Sequence, residues 1–287
     1  MADFLTRRKL VSLAGSMAGA AVLNRVAWAA PVTGMTYGVQ MFMLREQAKT
    51  DLPGVFKAVH EAGFAQIETY PIAYREPAAK LRRMIGDSGL GAVSGHFDYD
   101  GLEGRLEYAQ ALGLKYMVCP MLPKDQWTSL AGFRKAADLF NKVGKGARDR
   151  GMQFAFHNHC YEFKPMEGSN GFAVLMEHTD PALVKLELDC YWLTQAGQNP
   201  LQILTQHADR AVLIHMKDRL PNAPVGYDMD APQHFTELGS GTIAWPAILE
   251  QARRQGIQYA FLDQDGTSLP IPVSMRKSRA YLRSISA

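Results

Sequence analysis

Eight apolar runs of strand length alternate with amphipathic helical patterns along this chain, and that alternation leaves few folds open. Strands are expected at about residues 36–41 (TYGVQM), 66–70 (QIETY), 92–97 (AVSGHF), 115–119 (KYMVC), 152–157, 184–189, 211–216 and 259–263. Helical patterns such as PGVFKAVHEAG, AAKLRRMIGDSG, LEGRLEYAQALG and SLAGFRKAADLFNKVGKGARDRG lie between them. Most of these end in a glycine just before the next strand, where a helix stops and the chain turns back. Strict alternation implies a parallel sheet with right-handed crossovers. Eight strands close such a sheet, so the expected fold is α/β, a single (β/α)8 TIM barrel, with an open doubly wound sheet as the poorer alternative. A chain of 287 residues suffices for one such domain, expected over residues 30–287, since a barrel of this kind takes about 250.

Several strands end in groups that do chemistry. MQFAF runs into His157, His159 and Glu162; VKLELD closes on Asp189; AVLIHMKD carries His215, Lys217 and Asp218; YAFLDQD ends in Asp263 and Asp265. Strand C-terminal ends are where α/β folds keep their sites. Together these ends read as one metal-centred site assembled from four places in the sequence. His96 also closes a strand, Glu68 ends the second and Gln40 lies on the first, so each is placed to face the barrel mouth. Lys217 is suited to stabilise a developing oxyanion, or else pairs with Asp218. Trp127, Tyr161 and Trp192 offer an aromatic floor for a ligand, or core packing.

One connection breaks the rhythm. Residues 219–241, RLPNAPVGYDMDAPQHFTELGSG, far exceed the 2 to 6 residues usual for such a loop and suit a lid over the barrel mouth. Cys119, Cys160 and Cys190 are odd in number and are expected as buried free thiols, although Cys160 and Cys190 fall on neighbouring strands where a bridge is possible.

Residues 1–29 stand apart. Arg7 and Arg8, then LVSLAGSMAGAAVL, Arg25 and AWAA, resemble a twin-arginine export signal. The expectation is a periplasmic protein handed to the twin-arginine translocation machinery. The apolar run falls short of the roughly 20 residues a membrane span needs, so no stable membrane insertion is expected. The formal net charge of +3 partly reflects this segment, and the remainder is near neutral, which argues against a nucleic-acid partner.

The strings GVQMFMLR, VSGHF, FHNHCYEF, KLELDCYW, LIHMKD and LGSGTIAW together resemble the xylose-isomerase-like family of TIM-barrel sugar isomerases and epimerases. The resemblance covers the chain from Tyr37 to the C-terminus and is strongest for exported members. It implies one divalent cation held by a carboxylate after strand five, an aspartate after strand six, a histidine on strand seven and a glutamate on strand eight. By motif position these are Glu162, Asp189, His215 and Asp263. Such a set suits Mn2+, Mg2+, Co2+ or Zn2+. Two positions depart from the family. Asp263 stands where glutamate is usual and reaches roughly 1.5 Å less far. His157 stands where many relatives carry the strand-five ligand, which makes it the runner-up to Glu162.

The expected function is that of a divalent-metal-dependent isomerase or epimerase acting on a small carbohydrate or cyclitol. A proton leaves the carbon next to a carbonyl through a metal-stabilised enediolate. Glu162 and Asp263 are the expected acid/base pair, with His96 and His159 as acids and Lys217 as a further catalytic group. A lyase or hydratase acting on 3-keto-glycosides or inososes is the alternative on the same site. A non-catalytic carbohydrate-binding protein is the alternative of another class. Because no glycine-rich phosphate loop or arginine cluster is present, an unphosphorylated sugar is favoured.

Overall fold

A computed structural model describes residues 34–231 and 233–285. The expected export signal, residues 1–29, lies outside them. Eight parallel strands close a barrel: β1 (Thr36–Gln40), β2 (Gln66–Thr69), β3 (Gly91–His96), β4 (Tyr116–Cys119), β5 (Gln153–His157), β6 (Val184–Asp189), β7 (Ala211–Met216) and β10 (Tyr259–Leu262). Two short strands, β8 (Asp218–Arg219) and β9 (Phe235–Thr236), pair antiparallel outside the barrel. The closed parallel sheet is the expected TIM barrel, and the open sheet is excluded.

Sequence chemistry places the helices between the strands. Side chains of Asp51, Ser129, Asn170 and Asn199 accept amide hydrogens three residues on, capping the helices Leu52–Glu61, Leu130–Asp149, Gly171–His178 and Pro200–Gln206. These helices bury their apolar stripes against the outside of the sheet, where Phe56, Phe133 and Phe140 are fully enclosed. Inside the barrel a smaller cluster of Tyr116, Val118, Ala155, Leu213 and Phe261 fills the interior. The Phe261 ring meets the ring of His215 edge-on at 6.3 Å, so the apolar plug adjoins the polar site.

Two irregularities in strand register matter for function. The β2–β3 pairing shifts between Gln66 and Glu68, and the β6–β7 pairing shifts between Leu186 and Glu187. Such bulges re-aim side chains beside active sites. Here each one precedes a carboxylate, Glu68 or Glu187, that is wholly buried among the site residues.

Candidate metal centre and barrel-mouth cavity

Side chains alternate along a strand, so Glu187 and Asp189 share one face of β6. Neighbouring strands bring histidines to both levels, and two layers result.

In one layer Glu68, His96, Glu187 and His215 meet. His215 Nε2 lies 2.6 Å from Glu68 Oε2 and 3.1 Å from Glu187 Oε2. His96 Nε2 lies 2.8 Å from Glu187 Oε2 and 3.3 Å from Glu68 Oε2. Gln40 Nε2 donates to Glu68 Oε2 at 2.9 Å, and the Ser94 hydroxyl donates to Glu68 Oε1. Burial opposes a charge on His215, but the carboxylates of Glu187 and Glu68 outweigh it and hold its pKa well above the usual histidine range.

In the other layer His157, Asp189, His215 and Asp263 converge. His157 Nε2 is 3.4 Å from Asp189 Oδ2, while His215 Nδ1 is 3.1 Å from Asp263 Oδ2 and 3.9 Å from Asp189 Oδ2. His215 therefore joins the layers, with one ring nitrogen in each. Lys217 Nζ stands beside this set, 2.6 Å from Asp263 Oδ2, 3.0 Å from Asp265 Oδ2 and 3.1 Å from Asp189 Oδ2. Burial disfavours its charge, yet the three carboxylates keep its pKa well above the ordinary lysine value.

The local sequence explains how these groups are held. Asn158 clamps β5 to β6: its Oδ1 accepts the Asp189 amide hydrogen at 3.0 Å, and its Nδ2 donates to the Asp189 carbonyl at 3.3 Å. Asp189 Oδ1 accepts from Trp192 N at 2.8 Å, capping the helix Cys190–Gln195 and leaving Oδ2 for the site. Asp263 directly follows β10, and its short side chain reaches the set without an added methylene.

Glu162 is placed elsewhere. Both of its oxygens accept the backbone N–H of His159, at 3.1 and 3.0 Å, so it closes the turn after β5 and stays out of both layers. Burial pushes its carboxyl up to about 8. His157, the runner-up, occupies the strand-five place in the set. Lys217 and Asp218 do not pair with each other. Asp218 instead accepts amide hydrogens from Arg219 and Ile243 on Oδ1 and from Gly239 and Gly241 on Oδ2. The three cysteines are buried and free, so no bridge joins Cys160 and Cys190.

The arrangement suits a divalent cation. Two ligand atoms each about 2.1 Å from one ion at the tetrahedral angle are about 3.4 Å apart. The separations of 3.1, 3.4 and 3.9 Å bracket that value. Asp263 Oδ1 is buried without a hydrogen-bond partner, although burial of an unpaired carboxylate oxygen is costly. Two imidazoles with two carboxylates fit Zn2+, Mn2+ or Co2+.

A cavity of about 480 Å3 opens over this set, within the usual range for small-molecule sites. Its polar wall includes His96, His157, His159, Lys217, Asp263 and Asp265, and Trp192 and Phe235 line it as well. His159 Nδ1 is buried there with no partner, and burial holds the ring's pKa well below the usual histidine range. Of the three expected aromatic floor residues, only Trp192 faces this cavity; Trp127 and Tyr161 line a neighbouring one.

The xylose isomerase-like TIM barrel family model matches residues 56–285. The chain belongs to that family. Among its curated relatives, an inosose dehydratase from Clostridium beijerinckii is 34% identical over 172 residues, covering 56% of this chain and 55% of that protein. Another inosose dehydratase, from Bacillus anthracis, is 31% identical over 99 residues, covering 34% of this chain and 30% of that protein. The match thus spans about half or less of these relatives' length. A solved sugar phosphate isomerase/epimerase from Parabacteroides distasonis superposes with a TM-score of 0.71 at 22% identity, covering 88% of this chain and 100% of its own. These likenesses agree with the barrel.

Proposed function

We propose that this family member is an isomerase or epimerase that removes a proton from the carbon next to the carbonyl of a keto-sugar or keto-cyclitol. The observation that carries the reading is the convergence of His157, Asp189, His215 and Asp263 under a cavity that also holds Lys217, Asp265 and His159. His157, Asp189, His215 and Asp263 would hold a divalent cation, which would supply Lewis acidity. Asp265 lies in the cavity wall outside that set, with its side chain 20% exposed, and serves as the carboxylate base. Lys217 fixes its orientation through the 3.0 Å contact and adds positive charge where an oxyanion develops. His159, with its unpartnered Nδ1, binds a substrate hydroxyl or returns the proton.

The fate of the proton sets the product. Return to the other face gives an epimer, and return to the adjacent carbon gives an isomer. Loss of an oxygen substituent one carbon further on gives an elimination, a second reading supported by the similarity to inosose dehydratases. An unphosphorylated substrate is supported by the Gly239–Gly241 turn. Its amides, the best candidates for a phosphate cradle, already bind the internal carboxylate of Asp218. Periplasmic residence, with residues 1–29 as export signal, belongs to the same proposal.

The test joins metal analysis to isotope exchange. Purified protein is expected to hold about one divalent ion per chain and to wash solvent deuterium into a keto-sugar or keto-inositol, read by mass spectrometry. Metal-loaded protein that exchanges no proton across a panel of such ketones would overturn the proposal.

A further inference from the structure

One buried carboxylate, in the layer with Glu68, His96 and His215, has no task in the proposed reaction. Glu187 is fully enclosed, and the only polar partners of its side chain among the described residues are two imidazoles. Its Oε2 lies 2.8 Å from His96 Nε2 and 3.1 Å from His215 Nε2, and its Oε1 is buried without a partner. Glu68 differs. Besides the imidazoles it accepts from Gln40 and Ser94, and so ties β2 to both neighbouring strands. A buried carboxylate with one unpaired oxygen is costly, and the Glu187 side chain holds no backbone group, cap or loop in return.

The layer is built of hydrogen bonds rather than ligand bonds. His215 Nε2 and Glu68 Oε2, 2.6 Å apart, would subtend only about 76° at an ion about 2.1 Å from each, below the tetrahedral or octahedral angle. The span from 2.6 to 3.3 Å suits N–H groups facing carboxylate oxygens. With both Nε2 atoms turned to one oxygen of Glu187, the rings of His96 and His215 stack at 5.3 Å and 20°. Each imidazole keeps its other nitrogen for different work. Nδ1 of His215 lies 3.1 Å from Asp263 Oδ2 in the set proposed to hold a cation, and His96 lines the cavity.

We infer that Glu187 is a positioning residue that joins the two halves of the site, its single oxygen turning Nδ1 of His215 to the cation and leaving Nδ1 of His96 for a ligand in the cavity. The inference rests on the cation-site reading for His215 and on nothing about the reaction. Cobalt(II) titration of the full chain, followed by its visible absorption bands, compares wild type with Glu187→Gln and with Glu187→Met, which offers no oxygen at all. Both variants are expected to bind cobalt roughly tenfold to hundredfold more weakly, with shifted bands. The urea midpoint of the ion-free protein is expected not to fall, because Glu68 still faces both imidazoles. Wild-type affinity and bands together with a lowered midpoint give Glu187 a structural role and overturn the inference. A wild type that takes up no cobalt overturns the cation site instead, and the join is then read by nitrogen NMR of protein carrying isotopically labelled histidine. The Nε2 proton of His96 is expected to exchange slowly in wild type and rapidly in Glu187→Met, and slow exchange in both overturns the join.

Discussion

His157 and Glu162 lie five residues apart in one strand-to-turn segment, and only His157 reaches the cluster with Asp189, His215 and Asp263. Spacing alone does not separate them, because the turn after β5 curls back and delivers Glu162 to the His159 amide. His157→Ala is therefore expected to lower metal affinity by at least the roughly tenfold to hundredfold seen when even supporting residues are lost, measured by equilibrium dialysis. Glu162→Gln is expected to keep full metal content, since the amide oxygen still accepts from His159. It also carries a pH signature. With its folded pKa raised from the ordinary 4.5 to about 8, Glu162 makes the folded state bind the extra proton. Wild-type stability should fall relative to Glu162→Gln as pH rises from about 4.5 to 8, at no more than about 1.4 kcal/mol per pH unit. Urea unfolding at several pH values checks this, and parallel profiles would contradict it. Glu187 escapes the sequence reading; alternation with Asp189 two residues on in KLELD is the signal that would have found its face, while the bulge that turns it toward His215 depends on pairing with β7 and leaves no local mark.

At the scale of elements, the strand pattern located each barrel strand to within about one residue at either end, because each is a buried apolar run bounded by glycine or a polar turn. The β8–β9 pair was not legible. Two residues on each side of a long connection carry no period, and their pairing is set by contacts far apart in sequence. Asp218 holds that connection by accepting four backbone amide hydrogens while it is 1% exposed. Asp218→Ala strands those donors and is expected to cost about 3 kcal/mol, seen as a lowered midpoint of chemical unfolding. Asp218→Asn, which keeps an acceptor, should recover part of the loss. A neutral alanine variant would show that the excursion is anchored elsewhere. Gly239 belongs to the same knot. Its φ of +80° and the nearby Tyr281 ring leave no room for a Cβ.

At the scale of the whole molecule, the proposed export and the proposed metal site bear on each other. Replacing Arg7 and Arg8 by lysine is expected to leave the chain unprocessed in the cytoplasm, checked by fractionation and immunoblotting. Efficient periplasmic delivery of that variant would end the twin-arginine proposal. A folded barrel crossing a membrane must keep its shape whether or not an ion sits inside, and the ammonium of Lys217 bears on that need. Surrounded by Asp189, Asp263 and Asp265, it is a tethered counter-ion that never dissociates. It restrains the carboxylates from mutual repulsion before any ion arrives, then remains as a neighbouring positive charge that opposes the newcomer. Lys217→Met should therefore act in opposite directions on two measurements: the chelated protein should melt at a lower temperature, while affinity for a divalent ion should rise by roughly tenfold or more. The lysine would make this barrel a tolerant host, sturdy when vacant and willing to release its guest, so that which ion it carries follows the supply around it more than the tightness of its grip.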